Sequence, residues 1–222
     1  RRDAIKLLGL LGGGAALSVN ASAATSANAL NTSAKIVIVG GGSGGIDTAA
    51  RLARALRGAD ITVIDPNELH VYQPGQTLVG CGVYSYEHIT WAKQKDYIPS
   101  GVKWVKDIVT ELDPDNNRVR LSSGEYIGYD FMVLTPGMKY EWEKIEGLSH
   151  ADIGKDGVHS VYDLEGSRLC YGALQEFSPK GGEMLFTHPA TPIKCGGAPK
   201  KINLMSDAYL RRKGTRSKAN LR

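Results

Sequence analysis

A parallel α/β sheet with a small antiparallel β insert is the fold this sequence predicts, and three observations predict it. A β-branched run from Ile36 to Val39 leads into a glycine-rich turn and then an Ala/Leu-rich stretch. A second apolar run, Ile61 to Ile64, ends on a carboxylate at Asp65. Short strand-like runs separated by Asp, Asn, Ser and Gly turns then occupy residues 104–128. Strand, turn, helix and strand in that order make a βαβ unit, the connection that parallel pairing requires.

The first unit carries a recognisable turn. Gly40, Gly42 and Gly45 stand at the G-x-G-x-x-G positions, where glycines allow a tight turn, close approach to a diphosphate and close helix-to-strand packing. Residues 46–56 place apolar side chains at helical spacing, so the helix start would aim free N–H groups and a positive dipole end at the phosphates. Asp65 follows Gly45 by 20 residues, where a carboxylate accepts from an adenosine ribose and repels a 2′-phosphate. Together these define a Rossmann-like dinucleotide site.

Residues 1–33 read differently. Arg1 and Arg2 precede Leu7 to Leu11, a Gly/Ala stretch, and Ala21-Ser22-Ala23, an A-x-A cleavage pattern. This looks like a twin-arginine export signal and linker, which makes the periplasm the expected location. Its apolar part falls short of the roughly 20 residues that span a bilayer. The formal net charge is +4, half of it carried by Arg1, Arg2, Lys6 and Asp3 within residues 1–23, so nucleic acid is not indicated. Six basic residues crowd the end (Arg211, Arg212, Lys213, Arg216, Lys218, Arg222). A solvated helix C-terminus explains them, and contact with an anionic membrane surface is the other reading.

The second constellation concerns the cofactor. Residues 104–109, 118–122 and 125–128 read as strands of the antiparallel insert, joined by turns at 113–117 and 122–124. Residues 34–150 would form the dinucleotide-binding domain. Tyr129 to Gly137, ending Thr135-Pro136-Gly137, resembles the strand of two-dinucleotide-domain flavoproteins that passes close to FAD. A simple NAD dehydrogenase needs no such segment, so FAD is the expected cofactor.

Two further strings are more specific. Residues 68–80, with Tyr72-Gln73-Pro74, and residues 186–201, with Pro192, Cys195 and Gly197-Ala198-Pro199, resemble segments of the sulfide:quinone oxidoreductases and the related flavocytochrome c sulfide dehydrogenases. The resemblance implies an FAD-dependent oxidoreductase that oxidises hydrosulfide through a redox-active cysteine and passes electrons to a quinone, or alternatively to a cytochrome c subunit. By position it implies that Ser43 and Gly44 contact the FAD phosphates, Asp65 the ribose, Gln73 the flavin side, Val109 the adenine through its backbone, and that Cys195 is the redox cysteine. Flavocytochromes attach the flavin through a cysteine near the position of Pro74, so FAD is expected to be non-covalent here and quinone is the favoured acceptor. A type of NADH dehydrogenase shares the fold but needs no Cys195.

Residue chemistry supports Cys195 separately. It lies beside Lys194 in a turn that feeds a helix beginning near Pro199, and both neighbours favour the reactive thiolate. Packing is the default role for Cys81 and Cys170, although a Cys170 to Cys195 disulfide is open to an oxidising compartment. The histidines show no metal-site spacing. Residues 151–222 read as the start of a second dinucleotide-like domain that stops before completion, at what looks like the entry to a further strand. An FAD-binding fragment without catalytic activity is therefore the remaining alternative.

Overall fold

The computed structural model describes residues 29–188 and 195–222; the leader-like segment expected at residues 1–23 lies outside them. Strand β1 (Leu30–Asn31) precedes β2 (Lys35–Val39), helix α1 (Ser43–Ala55), β3 (Leu56–Arg57) and β4 (Asp60–Ile64). Then come β5 (Leu69–His70), α2 (Gln76–Gly80), α3 (Tyr86–Thr90), β6 (Ala92–Lys93) and β7 (Lys103–Val105). The antiparallel strands β8 (Val109–Asp113), β9 (Arg118–Leu121) and β10 (Tyr126–Gly128) lead to β11 (Phe131–Leu134). The chain continues through α4 (Leu164–Lys180), β12 (Gly182–Met184), α5 (Ala198–Arg212) and β13 (Ala219–Leu221).

The main sheet has the order β11-β2-β4-β7, and each neighbouring pair is parallel. Strand β2 is therefore central, and alternation sends its side chains to opposite faces. Ile36 and Ile38 pack with Ala49 of α1 and with Ile61 and Val63 on one face. Val37 packs with Ile64, Val119, Leu121 and Tyr129 on the other. The antiparallel insert thus covers the face that α1 leaves open, which is why β2 is a continuous apolar run from Ile36 to Val39 and β4 is buried on both faces from Ile61 to Ile64. Ile38 and Val63 are fully buried, each contributing about 1.5–3 kcal/mol by transfer from water.

The expected insert is present, with one boundary shifted. Lys103–Val105 does not belong to it: this stretch pairs in parallel with Thr62–Ile64. The first insert strand is Val109–Asp113, paired antiparallel with Arg118–Leu121. Asp107 makes the break, its carboxylate accepting from Ile108 N at 2.6 Å and from the Ser122 hydroxyl. Likewise Asp163 caps α4 by accepting from Gly166 N at 2.6 Å. Strand β12, Gly182–Met184, pairs in parallel with Ala219–Leu221. Strand β12, helix α5 and strand β13 make a second βαβ unit, and Cys195 stands just ahead of its helix.

Candidate functional site

The site lies at the carboxyl ends of β2 and β11, where the chain leaves a central strand in one direction and returns on its other side. Open parallel sheets bind ligands at such a switch point. Gly40 has φ +100° and donates to Ile64 O at 2.9 Å. A Cβ there would stand 2.2 Å from Thr135 O, and one on Gly45 would stand 1.9 Å from Gly40 O. Only glycine lets loop, helix and β11 approach this closely. At Gly42, by contrast, a Cβ would meet nothing within 4 Å: the loop is open on that side. Gly42 is the N-cap of α1, no side chain caps the helix, and its first turn carries no acid. The N–H groups of Gly42, Ser43, Gly44 and Gly45 are thereby left for an anion, and an open, uncapped cradle of this kind fits a diphosphate.

Asp65 is 7% exposed and closes β4 as expected. Its Oδ2 accepts from Gly41 N at 2.6 Å, and its Oδ1 accepts from Asn67 N and Nδ2 at 2.8 and 2.9 Å. The carboxylate therefore also organises the loop. Thr135 does the same from β11: its hydroxyl donates to Val39 O and Gly40 O at 3.1 and 2.9 Å. Gly137 follows with φ +78° and open space around its Cα. Val109 opens β8 opposite Leu121, half-buried in the cluster that contains Val37, Ile64 and Val105.

Gln73 is exposed and donates to the Tyr140 hydroxyl at 3.1 Å. Tyr140 lies against Tyr162, with ring centroids 5.7 Å apart. Burial, and then the Cys195 sulfur, hold the Tyr162 phenol above its usual pKa. Gln73, Tyr140 and Tyr162 are thus joined by contacts, and Cys195 lies near enough to act on the Tyr162 phenol through its charge. Sequence reasoning missed Tyr140 and Tyr162, since isolated aromatics in a loop carry no periodic signal.

Cys195 is exposed and has φ +88°. Its carbonyl accepts from Ala198 N at 2.7 Å, closing the turn into α5 that the sequence predicts. Lys194 lies outside the described residues. All three thiols are free, with Cys81 buried and Cys170 partly so. Burial and the neighbouring Cys81 push the Cys170 thiol up to about 12. Burial raises Cys81 as well, against an opposing contact with Ser206. Cys81 packs against Ile202 and Ser206, and Cys195 is the exposed thiol of the three.

Among the described residues no group of three or more His, Cys, Asp or Glu could hold a metal ion, and no helix is long and apolar enough to cross a membrane. The basic cluster near the end is tied into local partners. Arg211 and Arg216 both pair with Asp207, Arg222 pairs with Glu183, and Lys218 donates to Pro179 O at 3.0 Å.

A fold and loop of this kind define a flavin- or nicotinamide-linked oxidoreductase class, and the comparison with known families agrees. Residues 34–168 match the pyridine nucleotide-disulphide oxidoreductases, and the chain belongs to that family. The mitochondrial sulfide:quinone oxidoreductase of Dictyostelium discoideum is 41% identical over 188 residues, which are 84% of this chain and 41% of that protein. The corresponding protein of Mus musculus is 40% identical over 187 residues, again 84% of this chain and 41% of the relative. The crystal structure of the sulfide:quinone oxidoreductase of Aquifex aeolicus superposes with a TM-score of 0.69 at 24% identity, covering 84% of this chain and 42% of that one. The chain spans about two fifths of the length of these curated relatives.

Proposed function

We propose that this chain forms the FAD-binding and sulfur-carrying part of an oxidoreductase that oxidises hydrosulfide and delivers the electrons to a quinone. The observation that carries the reading is the accessibility of Cys195 on the turn into α5, while Cys81 and Cys170 are packed away. The open cradle at Gly42 and the names of the relatives at 40% identity or more support it.

In this reading the uncapped N–H groups of α1 hold the FAD diphosphate, Asp65 orients the ribose while bracing the loop, and the Val109 backbone borders the adenine. Gln73 stands on the flavin side, oriented by its bond to Tyr140. Bound FAD supplies a two-electron acceptor that takes electrons from sulfur and returns them to quinone. With Cys195 held as a disulfide to a second thiol, hydrosulfide attacks the Cys195 sulfur, the S–S bond breaks, Cys195 keeps the added sulfur as a persulfide and the second thiol leaves as thiolate; bound FAD would be the two-electron oxidant that restores the disulfide. Burial, and then the Cys195 charge, keep the Tyr162 phenol protonated in the region of that sulfur. Export through the arginine pair at residues 1–2 places this chemistry in the periplasm, and fusing residues 1–33 to a reporter that is active only after export tests that part.

The test of the function is the absorption spectrum of the purified protein before and after anaerobic sulfide. A flavin spectrum that bleaches in the wild type, and fails to bleach in Cys195→Ser, supports the reading. Equal bleaching in the variant removes Cys195 from the chemistry.

A further inference from the structure

Gly41 is not one of the three fingerprint glycines, yet its peptide groups are the most closely held part of the loop. Its N–H donates to Asp65 Oδ2 at 2.6 Å. Its carbonyl accepts from the Gln94 side-chain Nε2. Gln94 is 2% exposed, and a Cβ on residue 41 would stand 2.2 Å from that nitrogen. With Nε2 committed to a carbonyl, Oε1 must be the acceptor for the contact with His70 Nδ1 at 3.0 Å. His70 therefore carries its proton on Nδ1.

The clamp has its own support. His70 pairs with Ala92 in the antiparallel β5–β6 pair, Gln94 N donates to Glu68 O at 2.7 Å, and the His70 ring lies 4.5 Å from that of Tyr97. Gln94 thus arrives on a braced element that lies outside the βαβ unit. Holding both sides of Gly41 fixes the orientation of the next peptides, those whose N–H groups begin the anion cradle. Buried, fully paired amides of this kind specify one backbone conformation, because the alternatives leave a polar group unsatisfied.

We infer that Gln94 is a positioning residue of the dinucleotide site, which aims the Gly42 and Ser43 N–H groups at the FAD diphosphate without touching it. The inference rests on the FAD reading above. The test compares wild type with Gln94→Met, which keeps volume but cannot donate, and Gln94→Glu, which still accepts from His70 but faces the Gly41 carbonyl with an acceptor. FAD affinity is read by flavin fluorescence quenching, loop order by amide hydrogen exchange at residues 41–43, and folding by the urea transition.

Both variants are expected to fold, to exchange faster at residues 41–43, and to bind FAD about tenfold more weakly, the equivalent of one lost hydrogen bond. The phosphorus resonances of the bound diphosphate should move as well, which a remote loss of stability would not cause. Wild-type exchange at the loop, or wild-type FAD affinity in a folded Gln94→Met protein, overturns the inference. A wild-type chain that binds no FAD, yet loses loop protection in both variants, refutes the function and upholds the positioning role.

Discussion

Replacing Gly45 with alanine tests the geometry of the cradle directly. A Cβ at this position would stand 1.9 Å from Gly40 O and 3.0 Å from Thr135 Oγ1, where ordinary contact begins at 3.4 Å. Neither neighbour yields without losing a hydrogen bond. Gly40 N is bonded to Ile64 O at 2.9 Å, and the Gly40 carbonyl to the Thr135 hydroxyl at 2.9 Å. The start of α1 and the Gly40 turn must therefore part by about 1.5 Å, which pulls Gly40 off both partners, and overpacking of this kind costs about 1–3 kcal/mol. Loss of the two hydrogen bonds adds about 1 kcal/mol each, while the higher helix propensity of alanine returns about 1 kcal/mol. The expected destabilisation is about 2–4 kcal/mol, a fall of the urea midpoint by about 1–2 M at an unchanged slope. Gly44→Ala is the control, because its Cβ would meet Thr135 Cγ2 at an ordinary 3.5 Å; its midpoint should hold or rise. A Gly45→Ala protein that unfolds at the wild-type midpoint, or a Gly44→Ala protein that falls equally far, would refute the reasoning.

Asp65→Asn leaves one of two opposed sets of N–H donors facing an amide NH₂; the expected cost is about 1–3 kcal/mol in urea unfolding, accompanied by weaker FAD binding. The Ser122 hydroxyl and then the Ile108 N–H hold the Asp107 carboxyl down at about 2. A depressed carboxyl contributes stability above its unfolded pKa of about 4 that is lost as pH falls through the folded value. Wild-type urea midpoints should therefore drop more steeply between about pH 4 and pH 2 than those of Asp107→Asn, and parallel curves would contradict the assignment. In native protein at pH 8, iodoacetamide should label Cys195 rapidly, with Cys81 and Cys170 reacting only on unfolding; rapid labelling that survives in Cys195→Ser would show that another thiol is accessible.

The features legible in the sequence are those settled between near neighbours in the chain. The Gly40, Gly42 and Gly45 turn, the helix start at Ser43, the carboxylate ending β4 at Asp65 and the turn carrying Cys195 into α5 each follow from local backbone demands, so residue type and spacing reveal them. The face on which each strand packs, and the partner each side chain meets, depend on segments far apart in sequence. Lys103–Val105 reads as readily for the insert as for the parallel sheet, and the available edge of β4 with the turn at Asp107 decides for the sheet. Gln94 looks like one polar residue among others in a loop; its burial beneath Gly41, 53 positions away, makes it a clamp. The same holds for the Thr135 hydroxyl over Gly40 and for the Tyr140 hydroxyl that meets Gln73. The sequence by itself determined which groups are present and which local turns they can make. The tertiary structure decided which of those groups meet, because a polar side chain has a partner only once packing has removed water and left one acceptor within reach.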